Sequence, residues 1–142
     1  MVIVLRGLLL GALLGVLFGS LARALMRLVA IGMVMEPEFD LPASIALVSV
    51  FLIAGAGAGA ARAVGPLTWP LALVLVLASA PLLVMGTVFA VGEIGEILER
   101  DLTMLWRAEL LAFSGVILAT VLVTPYTGWR AGRRVARRAG RD

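Results

Sequence analysis

Four apolar stretches, at about 7–34, 43–65, 68–92 and 105–125, leave this chain little choice of fold. A helix needs about 20 mostly apolar residues to cross roughly 30 Å of hydrocarbon, where each backbone N–H and C=O must find its partner within the protein. Four such stretches in 142 residues, 62% of them hydrophobic, predict an all-α integral membrane bundle of four transmembrane helices.

The breaks between the stretches carry turn chemistry. "EPEFDLP" holds Pro37 and Pro42, which disfavour helix at the residue before each, and Asp40 is placed to cap the second helix. "GPLTWP" offers Thr68 as the cap of the third. Pro81 removes one amide donor from the third span and predicts a bend at 77–81. Between spans three and four, Glu93, Glu96, Arg100 and Arg107 face away from Ile94, Ile97, Leu98 and Leu105. That pattern fits a helix lying on the interface or an extension of a span; we read it as a short interfacial amphipathic helix. Pro125 is expected to end span four, dividing the chain into a four-span domain, 1–129, and a basic tail, 130–142. The first stretch is longer than the bilayer needs, so residues 28–35 must tilt, project or bend. Residues 1–24 resemble a secretory signal, but the glycine row described next runs through the would-be cleavage site, so the segment reads as a retained span.

Gly7, Gly11, Gly15 and Gly19 recur every four residues, and the row continues into Arg23 and Arg27. Small residues on one helical face let a second backbone approach closely. Gly55 and Gly59 in "AGAGAGAARAVG" give the second helix a matching face, so the row is read as packing against helix two, with a contact between copies as the other use.

Arg23 and Arg27 are the leading site candidates, because a guanidinium facing a bundle at membrane depth is costly and needs a partner. With Ser20 they share a face that could hold a small anion or a lipid phosphate. The other reading pairs them with Glu36, Glu38, Asp40, Glu93 or Glu96. Glu109, inside the start of span four, is a further ion-pair or proton-carrying candidate.

What is missing narrows the chemistry. The chain has no Cys, His, Lys, Asn or Gln, which removes thiol and imidazole nucleophiles, the usual soft metal ligands and the Schiff-base lysine of retinal or pyridoxal sites. No catalytic residue, metal or cofactor is expected, and the acidic loops lack the spacing of an EF-hand.

Charge is segregated. Arg130, Arg133, Arg134, Arg137, Arg138 and Arg141 crowd the last thirteen residues, while eight of the nine acids lie between Glu36 and Glu109. Four spans place both termini on one side, with eight arginines against the four of Arg23, Arg27, Arg100 and Arg107. The positive-inside rule therefore predicts an inner (plasma) membrane protein with both ends cytoplasmic, its tail arginines meeting anionic lipid head groups. No recognition fold accompanies the charge, so nucleic acid is not an expected partner.

"GALLGVLFGSLARALMRLVA" followed by "EPEF" resembles a family of small, uncharacterised four-span bacterial membrane proteins with an ARxxMR-type first helix and an EPEF-like loop. That resemblance covers the first third of the chain and implies four spans without implying an activity. The glycine-rich first helix ending in Arg also looks like the four-span fluoride channels. Helix two lacks their Asn, however, and helix three their Phe- and Ser/Thr-rich break, so this likeness is one of composition. The small multidrug transporters are similar in size only, since no acidic residue precedes Glu36.

These readings favour a non-enzymatic accessory or scaffold subunit, a homo-oligomer or part of a larger membrane complex. The alternative is an oligomeric channel or transporter for a small anion or solute.

Overall fold

The computed structural model describes residues 1–32, 40–65, 68–99 and 103–140, without the side chains of Ala90 and Glu93. Among the described residues are four helices: α1 (Val2–Gly32), α2 (Leu41–Val64), α3 (Trp69–Glu99) and α4 (Met104–Arg138). All four are long and apolar enough to cross a membrane, and the chain is an all-α four-helix membrane bundle. Its outer surface fits that medium: Leu13, Leu77, Val84 and Val88 stand 66, 63, 61 and 66% exposed, a density of exposed aliphatics that water does not tolerate.

Capping starts α2. The Asp40 carboxylate accepts from the Ala43 amide at 3.2 Å, and Pro42 occupies a first-turn position whose amide has no helical acceptor. Thr68 precedes α3 and its carbonyl accepts from the Ala72 amide at 2.8 Å.

The helices alternate in direction and form a diamond in cross-section. α2 and α4 touch along the short diagonal, while α1 and α3 each pack on both of them and, among the described residues, do not meet. α2 is the short element, 24 residues or about 36 Å, against 31 residues in α1 and 35 in α4. α1 and α4 therefore run past both its ends and meet each other beyond them, at Gly32 and Leu110 on one side and at Ile3 and Arg138 on the other. The buried core is built from Phe51, Leu82, Ile97, Leu110, Ile117 and Val121, with Ala22, Val29 and Ala54 between them.

Two expectations are corrected. No separate interfacial helix occurs among the described residues, because Ile94, Ile97 and Leu98 belong to the last turns of α3, where Ile97 is fully buried in the core. Pro81 lies within α3 and does not end it, the helix running on both sides of the ring. Pro125 does not end α4 either: the helix continues for thirteen residues to Arg138, so the basic segment is helical and packed instead of a free tail. The ring forfeits one amide donor, but its fixed φ suits a helix, and Gly128, Gly132 and Ala136 bury the turns that follow. The surplus length of α1 likewise stays helical to Gly32, with Val29 fully buried.

Candidate functional site

The glycine row of α1 lies against α2 along its whole length. A Cβ added at Gly7 would meet the Ala63 Cβ at 2.6 Å and the Gly59 carbonyl oxygen at 2.7 Å. One at Gly11 would run into the Gly55 carbonyl, one at Gly15 into that of Phe51, and one at Gly19 would come within 3.0 Å of the Phe51 Cβ. The approach is reciprocal, since Cβ atoms at Gly55 and Gly59 would strike the carbonyls of Gly11 and Gly7. These six glycines form an internal seam of backbone on backbone.

The same two glycines of α2 also receive α4. A Cβ at Gly128 would lie 2.6 Å from the Gly55 oxygen, and one at Gly132 would overlap the Gly59 oxygen. α2 is thus held from two sides through one short glycine-rich segment. The pair Gly128 and Gly132, continued by Ala136, repeats the four-residue spacing of α1, but it interleaves with arginines and so reads as tail in the sequence.

Arg23 is half-buried and its Nε donates to the Ser44 hydroxyl at 2.8 Å; Ser44 in turn donates to the Asp40 carbonyl at 2.7 Å. The partner is therefore a hydroxyl in the first turn of α2, bound to the residue that caps that helix. Ser20 and Arg27 are exposed, and Ser20 lies on the outer surface of α1 with Leu13, Val16 and Leu17, so Ser20 and Arg23 serve different surroundings. Glu96 is half-buried and Glu109 exposed. Glu36, Glu38 and Arg141, and the side chain of Glu93, lie outside the described residues. Among the described residues no three carboxylates come together.

Charge is sorted between the two ends of the bundle. The described carboxylates, Asp40, Glu96, Glu99 and Glu109, all sit where α1 and α3 finish and α2 and α4 begin. Arg23, Arg27 and Arg107 lie at the end that holds the carboxylates, while the opposite end gathers Arg6, Arg62 and the α4 arginines from Arg130 to Arg138. There Arg62 donates to the Gly65 carbonyl at 2.8 Å and stands 5.5 Å over the Trp129 ring, and Arg130 stands 6.0 Å over Tyr126. The Arg62–Trp129 contact joins the last turn of α2 to α4, and both aromatic faces suit a membrane interface.

Two surface grooves follow the helix seams. One, about 520 Å³, lies between α3 and α4 and is lined by Ser79, Leu83, Leu122, Pro125, Tyr126 and Trp129. The other lies between the start of α1 and the end of α4, where Arg6 and Arg138 flank apolar walls.

No protein-family model matches the chain, and comparisons with curated proteins and with solved structures find no match either.

Proposed function

We propose that this chain is a non-enzymatic accessory or scaffold subunit of the inner (plasma) membrane, with both termini in the cytoplasm, that assembles with itself or with a larger membrane complex. The observation that carries the reading is the double engagement of Gly55 and Gly59, which brings the backbones of α1, α2 and α4 together at one level. Three helices packed through their backbones leave no room between them for a conduit and make a stiff unit suited to holding its outer faces in fixed relation.

The α1 glycines are used inside the protomer, so a partner helix would meet another surface. Ala108, Ala112, Gly115 and Ala119 give α4 an exposed small-residue face, and a Cβ at Gly115 would meet nothing within 4 Å. The engagement of Arg23 with Ser44 supports a structural clasp over an ion-binding role. The clustering of Arg6, Arg62 and the five α4 arginines from Arg130 to Arg138 at one end, against Arg23, Arg27 and Arg107 at the other, supports the cytoplasmic assignment of the first end.

The test is purification from the native membrane in mild detergent or nanodiscs, with mass determination. A stoichiometric partner, lost on Gly115→Leu, is the expected result. A homo-oligomer that conducts anions in liposomes, and stops conducting on Arg23→Ala, would replace this reading with the channel.

A further inference from the structure

The groove between α1 and α4 at the basic end combines two chemistries that are seldom adjacent. Its floor and walls are aliphatic: Ile3, Leu9 and Leu10 from α1 face Val135 from α4, and the groove continues inward past Leu13 and Leu14. Its rim is cationic, with Arg6 from one helix and Arg134 and Arg138 from the other. Arg134 and Arg138 are four residues apart and so stand one above the other on the same helical face. The outer part of the groove encloses about 460 Å³ and the inner part about 300 Å³.

The described carboxylates lie at the far end of the bundle, so among the described residues Arg6, Arg134 and Arg138 line this groove with no carboxylate beside them. Like charges held together at an apolar surface repel unless a counter-charge joins them. Arg130 and Arg62 are oriented by aromatic rings, whereas the rim arginines face open space above an apolar cleft.

We infer that this groove is a binding site for one anionic glycerophospholipid. Its phosphate would sit between the Arg6 and Arg138 guanidinium groups, with Arg134 beside it, and one acyl chain would lie along Leu10 and Leu14. From Arg6 to Leu14 the groove descends about 12 Å, so the upper part of a chain is enclosed and the rest joins the bilayer. Planar guanidinium forks match phosphate oxygens, and basic pockets between spans are where such head groups are held. The lipid would bridge the first and last helices, fastening the end of α4 to α1. This site is independent of whether the chain has a protein partner.

The experiment is native mass spectrometry of the full chain, released from detergent after equilibration with phosphatidylglycerol, with phosphatidylcholine of the same acyl chains, or with inorganic phosphate. One retained phosphatidylglycerol per chain is expected, favoured about tenfold over phosphatidylcholine, with no adduct from inorganic phosphate. The double variant Arg6→Gln/Arg138→Gln is expected to lose that preference. Arg133→Gln, an exposed arginine outside the groove lining, is expected to keep it. Leu10→Trp, which fills the groove and leaves every arginine in place, is expected to weaken retention about as much as the double variant. Equal retention of the two lipids by the unmodified chain would overturn the site, as would an equal loss on Arg133→Gln, which would mark diffuse attraction to the basic segment. Phosphate adducts without lipid preference would assign the arginines to a soluble anion instead.

Discussion

The Nε of Arg23 lies 2.8 Å from the hydroxyl of Ser44, and that hydroxyl also donates to the carbonyl of Asp40, so a cation in α1 is joined to the capping residue of α2 through one side chain. A hydrogen bond to a charged group contributes about 1.5–3 kcal/mol, and interhelical bonds within membranes fall near or below the lower figure. Ser44→Ala should therefore lower stability by about 1–1.5 kcal/mol, leaving Arg23 without that acceptor while Asp40 still caps Ala43. Thermal unfolding in detergent measures it. Arg23→Ala is expected to cost no more than Ser44→Ala, since it removes the charge that needs an acceptor and leaves the Ser44 hydroxyl bonded to the Asp40 carbonyl, and a much larger loss would show that Arg23 has a role beyond this clasp.

The glycines divide by what a methyl group would meet. At Gly11 a Cβ enters the space of the Gly55 carbonyl, whereas at Gly115 it meets nothing within 4 Å. Gly11→Ala is expected to force α1 and α2 apart and cost about 1–3 kcal/mol, as overpacking of a close interface does. Gly115→Ala in the isolated protein is expected to raise stability by up to about 1 kcal/mol through helix propensity alone. Urea or thermal unfolding of the two variants side by side tests the assignment, and equal effects would contradict it.

The sequence was legible wherever one helix carries its own signal. The four spans, the Asp40 cap and the α1 glycine face each follow from length, polarity or spacing within one segment. What was hidden depends on two segments at once. Pro125 reads as a stop because the contacts that carry α4 past it, Gly128 and Gly132 on Gly55 and Gly59, come from a helix some seventy residues earlier. The segment holding Glu93 and Glu96 reads as a separate amphipathic helix because its polar face is visible in sequence, whereas the burial of Ile97 against other helices is not. Arg23 points to acidic partners by charge alone; its observed acceptor, Ser44, is one hydroxyl among several and acquires meaning only when α2 is laid antiparallel to α1.

Beyond Pro125, α4 is anchored by three small residues, Gly128, Gly132 and Ala136, which are buried while Arg133, Arg134, Arg137 and Arg138 remain exposed. A Cβ at Gly132 would overlap the Gly59 carbonyl, so Gly132→Leu should lift this segment from α2. Hydrogen exchange is expected to speed up at the amides of 130–138 by tenfold or more, an opening free energy lower by about 1.4 kcal/mol. Amides of 110–120, whose side chains Leu110 and Ile117 pack in the core, are expected to keep their protection. Uniform acceleration along α4 would mean that the helix unfolds as one unit and that the basic segment has no separate anchor.

Ser114 supplies the opposite sign to Ser44 for the same chemical change. Its side chain is fully buried, and among the described residues its Oγ has no hydrogen-bond partner, whereas Thr120 and Thr124 on the same helix each return a proton to a backbone carbonyl at 2.6 Å. A hydroxyl kept from water without a partner costs about 1–3 kcal/mol, and alanine occupies nearly the same volume without that cost. Ser114→Ala is accordingly expected to raise the stability of the bundle by about 1 kcal/mol, while Thr124→Val, which removes a satisfied hydroxyl, gives no comparable gain. Both are read from thermal unfolding in one detergent. A loss of stability on Ser114→Ala would mean that the hydroxyl has a partner in the membrane, a buried water or a backbone carbonyl, and would make α4 at this level a polar site and not a dry seam.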